Sequence, residues 1–185
     1  MVVSDTRPTV LVVEDDTPLR ETYARVLSQS YDVSTAATAA MAIDRLGDGT
    51  DILLLDRALP DADGEDVLRE VQARNYHCYV AMVTAVEPDF EIIDMGVDDY
   101  LVKPVTTDAI RDAVERLLSL AEYDEIYREL SQKRVKRNVL EQEKAPSELD
   151  ESEEFRRLQA DIERLEAQLE EIADECADVE RELEQ

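Results

Sequence analysis

Five short apolar runs recur along the first 102 residues, at 9–13, 31–35, 51–56, 78–83 and 99–102, and the stretches between them carry apolar residues three and four apart. Three of the runs are nearly continuous: Val10-Leu11-Val12-Val13, Ile52-Leu53-Leu54-Leu55 and Tyr79-Val80-Ala81-Met82-Val83. Parallel strands covered on both faces have this pattern. Thr17-Pro18 opens a helix with proline in its first turn, followed by Leu19, Tyr23, Val26 and Leu27 at helical spacing. An alanine-rich helix is predicted over Ala36–Leu46, closed by Gly47, and a third after Asp63-Gly64 with Val67, Leu68 and Val71 on one face. Asp89–Met95 gives a short fourth ending at Gly96. Strand and helix alternate five times, which predicts an α/β fold: a five-stranded parallel doubly wound sheet with right-handed crossovers and helices on both faces. Such a sheet binds ligands beyond the carboxyl ends of its strands, where the strand order reverses.

The pattern changes after the fifth run. A helix starts near Thr107, with Asp108 favouring its N-terminus, and no Gly or Pro interrupts the sequence before Pro146. Ser147-Glu148-Leu149-Asp150 then offers a variant capping box for a new helix. From there Phe155, Leu158, Ile162, Leu165, Leu169, Ile172, Cys176, Val179 and Leu183 follow alternating steps of three and four, an apolar seam. Residues 1–120 are expected to form one domain and 121–185 a helical second, a C-terminal long-helix hairpin or coiled coil. Two arrangements compete: a fold-back at Pro146 into an antiparallel hairpin, or pairing of the last helix with its copy in a homodimer. Charge favours the hairpin. Glu154, Asp161, Glu166, Glu175, Glu180 and Glu182 flank the seam and would face acids in a parallel dimer, whereas Lys133, Arg134, Lys136, Arg137 and Lys144 neutralise them within one chain.

Composition narrows the function classes. The 185 residues carry a net charge of −26, with 46 acidic residues against 20 basic ones, of which four are lysine. The charge is −15 over 1–122, zero over 123–148 and −11 over 149–185. No broad nucleic-acid-binding surface fits that distribution. Self-repulsion of this size is relieved by salt, which suggests a halophilic, high-salt cytoplasm over an ordinary acidic protein. No apolar segment approaches the roughly 20 residues that span a bilayer, and the N-terminus has no signal-peptide pattern, so a soluble cytoplasmic protein without a membrane partner is expected. Cys78 and Cys176 lack partners at metal spacing. Cys78 reads as a small core residue and Cys176 as a seam hydrophobe, although parallel chains would bring two copies of Cys176 together.

Within that acidic half Lys103 is the single lysine of the first 122 residues, in Tyr100-Leu101-Val102-Lys103-Pro104. Glu14-Asp15-Asp16, Asp56 and Thr84 follow three of the other apolar runs. Three converging carboxylates, Glu14, Asp15 and Asp56, demand a cation, and Mg2+ suits a site of one or two carboxylates completed by water and phosphate oxygens. An ammonium and a hydroxyl beside a metal-bound carboxylate serve phosphoryl transfer, in which alignment and charge neutralisation supply most of the catalysis. Asp56 is then the nucleophile. Taken singly, each residue reads as a surface ion pair, a loop cap or one acid among 46; the coincidence of all of them at separate strand ends favours the site.

On these residues the stretch 9–118 resembles the receiver domain of two-component response regulators, whose sheet is flavodoxin-like. The resemblance implies that Asp56, in Leu55-Asp56-Arg57-Ala58-Leu59-Pro60, is the phospho-acceptor, that Glu14 and Asp15 help bind Mg2+, and that the backbone carbonyl of Ala58 completes the protein ligands. It makes Thr84, followed by the small Ala85, the switch hydroxyl, Lys103 the cation that contacts the phosphoryl group and Tyr100 the switch aromatic, against a reading of Tyr100 as a half-buried strand residue. It implies a cis Lys103–Pro104 peptide, a sensor histidine kinase as partner, and a phospho-acceptor rather than an enzyme beyond weak self-catalysed transfer. His77 reads as a loop residue. The stretch from Ala85 to Gly96 is about one helical turn shorter than receivers usually have, so output contacts of that region do not carry over.

Residues 120–180 resemble the HalX-type domain found after receivers in halophilic archaea, on Tyr123-Asp124-Glu125, Lys133 to Lys144 and Ser147–Phe155. That family lends no output chemistry. The cluster Lys133, Arg134, Lys136 and Arg137 is the candidate nucleic-acid contact, weighed against pairing with the acidic last helix; zinc-finger spacing, an aromatic stacking series and a helix-turn-helix are absent from the sequence. The leading expectation is a response regulator that signals through its helical domain to an unidentified output protein. A DNA-binding transcription regulator and a non-phosphorylated assembly scaffold are the alternatives.

Overall fold

The structure, a computed structural model, describes the backbone of residues 7–88, 90 and 92–183, and side chains through Asp174. The chain divides into two compact units, Met1–Leu118 and Ser119–Gln185.

In the first unit five parallel strands, β1 (Thr9–Val13), β2 (Asp32–Ala36), β3 (Ile52–Leu55), β4 (Tyr79–Thr84) and β5 (Asp99–Val102), lie in the order β2-β1-β3-β4-β5. The predicted doubly wound sheet is therefore present. Strand alternation divides two cores. Leu11, Val13, Leu53, Leu55, Val80 and Met82 pack with Ala39, Ala42, Val67, Leu68 and Val71, while Val10, Val12, Ile52, Leu54, Ala81 and Val83 pack with Tyr23, Leu27, Ile110, Val114 and Leu117. Both faces are dry, so the strands are apolar at consecutive positions and the polar residues fall at their ends.

The intervening helices are α1 (Thr17–Leu27), α2 (Ala39–Arg45), α3 (Gly64–Ala73), α4 (Ile92–Met95) and α5 (Thr107–Glu143). Several boundaries move from their predicted places. Ala36 belongs to β2, in register with Val13, rather than opening the second helix. The Thr38 side chain instead accepts from the Met41 N–H as N-cap, and the helix ends at an extended Leu46 rather than at Gly47. β2 begins at Asp32, whose N–H donates to the Pro8 carbonyl, and β4 reaches Thr84 because its ladder partner β5 ends level with it. In α4 the predicted start, Asp89, lies outside the described residues; the helix is short and ends at Gly96, whose φ of +72° suits glycine. His77 lies in the connection before β4.

The second unit comprises α5 from Ser119 onward, α6 (Pro146–Glu151) and α7 (Glu153–Leu183). Leu130, Ile162 and Leu165 are buried together with Ile126, Leu158 and Leu169 against them, and Lys133 Nζ lies 2.7 Å from Asp161 Oδ2. Residue numbers rise along α5 as they fall along α7, so the two helices form an intrachain antiparallel hairpin. Two details correct the sequence reading. Ala145, extended as residues before proline tend to be, precedes a helix whose first residue is Pro146, and Glu148 Oε2 accepts from the Ala145 N–H at 3.1 Å. Ser147 is therefore not the cap. The last helix is also not continuous from Leu149: Ser152 is extended, and its Oγ accepts from the Phe155 N–H at 3.1 Å, starting α7 anew. Glu153 and Glu154 in the first turn were the sequence signal for that start. The seam positions Phe155, Ile162, Leu165 and Ile172 are buried; Cys176, Val179 and Leu183 lie outside the described side chains. Among the described residues no helix is long and apolar enough to cross a membrane.

Candidate functional site

β1 and β3 are neighbours with Val13 level with Leu55, so the chain leaves them side by side carrying Glu14 and Asp56. The Asp56 N–H donates to the Val13 carbonyl (2.9 Å) and the Glu14 N–H to the Ala36 carbonyl (3.0 Å), which holds both residues in line with the ladders. Asp56 sits one residue past β3 rather than within it. On the other side, the Lys103 N–H donates to the Thr84 carbonyl at 2.8 Å, and the Lys103–Pro104 peptide is cis. The ends of β1, β3, β4 and β5 thus meet on one edge of the sheet.

Lys103 Nζ lies 2.5 Å from Asp56 Oδ2 and 2.7 Å from Glu14 Oε2. Glu14 and Asp56 are buried, while Asp15 beside them is exposed. Burial pushes the Glu14 carboxyl above its ordinary value, against the bond to Lys103. For Lys103 burial acts to lower the ammonium, but hydrogen bonds and charges from Asp56 and Glu14 outweigh it and the value rises. Three carboxylates gather here and the one ammonium bridges two of them, so the cluster retains negative charge. Glu14, Asp15 and Asp56 each offer an oxygen within 4.8 Å of the others. An all-oxygen donor set of this charge, with one member open to solvent, fits Mg2+, which keeps several waters and uses few protein ligands.

Thr84 is fully buried, and its Oγ1 accepts from the Val86 N–H at 3.3 Å. The Tyr100 hydroxyl donates to the Val86 carbonyl at 2.9 Å, with the ring packed on the α2–α3 side core. The loop after Asp56 is held locally: the Ala58 N–H donates to Asp56 Oδ1 at 3.1 Å, orienting the carboxylate.

Three residues of this edge escaped the sequence reading. Arg20 Nη1 donates to the carbonyls of Glu14 (2.7 Å) and Asp15 (3.1 Å), and its Nη2 to Thr17 Oγ1 (3.1 Å), so α1 fixes the backbone of the acidic pair. Nothing in the sequence separates it from the other arginines. Gly64 follows the Asp63 cap; a Cβ there would lie 2.5 Å from the Asp56 carbonyl oxygen and 2.9 Å from Arg57 Cα. Its signal was the Asp-Gly pair, read as a helix start only. Asp61 accepts from the N–H groups of Ala40 (3.0 Å) and Ala39 (2.8 Å), bonds that hold its carboxyl below the usual range and tie the loop after Asp56 to α2.

In the second unit the basic cluster faces acids. Lys133 pairs with Asp161, Arg134 Nη2 lies 2.7 Å from Glu166 Oε1, and Arg137 Nε lies 3.8 Å from Glu141 Oε1. Lys136 is exposed.

The response regulator receiver domain family matches residues 10–115 and the HalX domain family matches residues 119–185. A Haloferax volcanii protein named as a transcriptional regulator is 44% identical over 121 residues, 65% of this chain; the chain spans only 21% of that relative. Among solved structures, the signal receiver domain of a Luxo repressor protein from Vibrio parahaemolyticus superposes with a TM-score of 0.58 at 29% identity, covering 65% of this chain and 97% of that one. The response regulator protein TrrA from Thermotoga maritima, in complex with Mg2+ and BeF, gives a TM-score of 0.53 at 25% identity, covering 60% of this chain and 98% of that one.

Proposed function

Since the chain belongs to the response regulator receiver family and carries a HalX domain after its receiver, we propose that Asp56 accepts a phosphoryl group from a sensor histidine kinase and that the helical unit passes the change to a partner. The bridge of Lys103 to both Asp56 and Glu14 is the observation that carries this reading, because it gathers nucleophile, counter-charge and metal carboxylate at the ends of three strands. The acceptor step is an in-line displacement. An Asp56 carboxylate oxygen bonds to phosphorus, the bond from phosphorus to the kinase imidazole nitrogen breaks, and that nitrogen takes up a proton on release.

Each side chain has a part in that step. Asp56 is presented by its bond from the Ala58 N–H, and Lys103 follows the charge from the carboxylate to the new phosphoryl oxygens. Glu14, Asp15, Asp56 and the Ala58 carbonyl would hold Mg2+, which when bound neutralises phosphoryl oxygens. The Thr84 hydroxyl turns toward the phosphoryl group, and Tyr100 responds through Val86, to which both are bonded. The added charge of about −1.5 to −2 is what the partner surface senses.

Incubation with acetyl phosphate and Mg2+, read by intact mass, should give an acid-labile adduct on the wild-type protein and none on Asp56→Asn. An adduct surviving that substitution, or none on the wild type, would overturn the proposal. A DNA-binding output is the second reading, motivated by the name of the Haloferax relative. Pairing of Lys133 and Arg134 with acids of α7 weighs against it. Salt-dependent DNA binding abolished by neutralising Lys133, Arg134, Lys136 and Arg137 would support it.

A further inference from the structure

Tyr23 lies on α1 three residues after Arg20, whose guanidinium holds the Glu14 carbonyl, so the two side chains share one face of that helix. The Tyr23 side chain is 3% exposed and belongs to the core that contains Val12, Leu54 and Leu101. Two residues further along the strand alternation from those three are Glu14, Asp56 and Lys103, so the acceptor cluster continues the sheet face that Tyr23 covers. Among the described residues the Tyr23 hydroxyl has no hydrogen-bond partner. A buried hydroxyl left that way is destabilising. Burial first, then the charge of Glu14, push it above its ordinary value of 10.0 against the opposing charge of Lys103, so it keeps its proton and remains a donor. The complementary shortage arises at Glu14. Its Oε1 accepts from the Asp16 N–H at 3.3 Å, and its Oε2 is held by Lys103 Nζ at 2.7 Å. The same ammonium reaches Asp56 and is the group that follows charge onto the phosphoryl oxygens. Glu14 is 2% exposed, so departure of Lys103 leaves a buried anionic oxygen in need of a donor.

We propose that Tyr23 is a positioning residue of the acceptor site: as Lys103 leaves Glu14 for the phosphoryl oxygens, the Tyr23 hydroxyl replaces it as donor to the Glu14 carboxylate. This role rests on the reading of Asp56 as the phosphoryl acceptor. The ring is fixed by the core around it, so the Glu14 side chain is the part that turns. The new bond holds that carboxylate in place for Mg2+, as hydrogen-bond partners of metal-holding carboxylates do. A hydroxyl idle in the resting chain is thus a donor kept ready for the phosphorylated one.

A double-mutant cycle on the full chain, read by urea denaturation in EDTA, tests the exchange. Tyr23→Phe alone should leave the midpoint unchanged or raised, since the hydroxyl it removes has no partner. In the Lys103→Met background, where Glu14 already lacks its ammonium, Tyr23→Phe should lower the midpoint. Calorimetry with Mg2+ and beryllofluoride, a stable stand-in for the phosphoryl group, gives a second readout that does not depend on the folding of Lys103→Met. There Tyr23→Phe alone should raise the apparent dissociation constant by about tenfold. The same midpoint shift from Tyr23→Phe in both backgrounds, as for a residue that only fills space, or beryllofluoride binding unchanged by it, would each overturn the proposal. Absence of an acetyl phosphate adduct on the wild type would instead overturn the acceptor reading, and the cycle in EDTA would still decide whether Tyr23 serves Glu14.

Discussion

Thr84 and Tyr100 are fastened to opposite ends of one residue: Thr84 Oγ1 accepts from the Val86 N–H at 3.3 Å, and the Tyr100 hydroxyl donates to the Val86 carbonyl at 2.9 Å. A hydroxyl at the site and an aromatic ring at the sheet edge thus share a single peptide segment. If Thr84 turns toward a phosphoryl group, its hold on Val86 is released and Tyr100 feels the change. Thr84→Val should still accept phosphoryl on Asp56 but leave the Tyr100 ring signals unchanged on phosphorylation. Ring resonances of fluorotyrosine-labelled protein, with and without acetyl phosphate, would measure this.

Lys103 is the counter-ion of two buried carboxylates, so Lys103→Met should cost about 3 kcal/mol of stability in metal-free buffer, the usual consequence of breaking a buried pair. Added Mg2+ should recover more stability in this variant than in the wild type, because it supplies the missing positive charge. Denaturant titrations with EDTA and with Mg2+ provide the comparison.

Gly64→Ala should destabilise by about 2 kcal/mol and slow acceptance on Asp56, since the new Cβ would press on the backbone of Asp56 and Arg57. Neither atom belongs to a flexible side chain. Stability and initial rate of adduct formation should fall together, while the equivalent change at Gly49, where open space surrounds the new carbon, should leave both unaltered.

Burial, with help from the charge of Asp98, pushes the Cys78 thiol up to about 11 from an ordinary 9.0. The thiol form is favoured in the folded state, so its contribution to stability is complete below pH 9 and is lost as the pH rises toward 11. Denaturation curves between those limits should fall less steeply for Cys78→Ala than for the wild type. At pH 8, alkylation of Cys78 should be about a hundredfold slower in the folded than in the unfolded chain, as peptide mass mapping would show.

With a net charge of −26, the chain should gain stability as salt rises from low to molar concentration, self-repulsion being screened. Exposed pairs such as Arg134–Glu166 weaken in the same range but act in the opposite sense and contribute less. Urea midpoints at increasing KCl should move upward; a downward course would refute salt adaptation.

The alternation of five strands and five helices was legible along the chain, because a strand buried on both faces must be apolar at consecutive positions and its polar residues must fall at the ends. That rule alone put Glu14, Asp56, Thr84 and Lys103 at strand termini, and the three-four spacing from Phe155 onward made a helical seam. Local chemistry also marked the starts of α1, α3 and α5. Where it misled, two local signals competed: Ser147 lost to Pro146 because proline sets the first helical turn, and Ala36 was claimed by its ladder with Val13.

Which strand ends are neighbours, and which side chains meet there, depended on long-range packing that no local pattern encodes. The sheet order brings β1 beside β3, and that long-range choice lets one ammonium span Glu14 and Asp56. Arg20 on the acidic backbone, Asp61 on the start of α2, and Val86 between Thr84 and Tyr100 are likewise contacts between segments that sequence spacing leaves independent. The helical unit shows the same division. Periodicity specified that its last helix had an apolar face, but the direction of packing, and with it the fate of the basic cluster, came from the hairpin that sets Lys133 and Arg134 against the acids of α7.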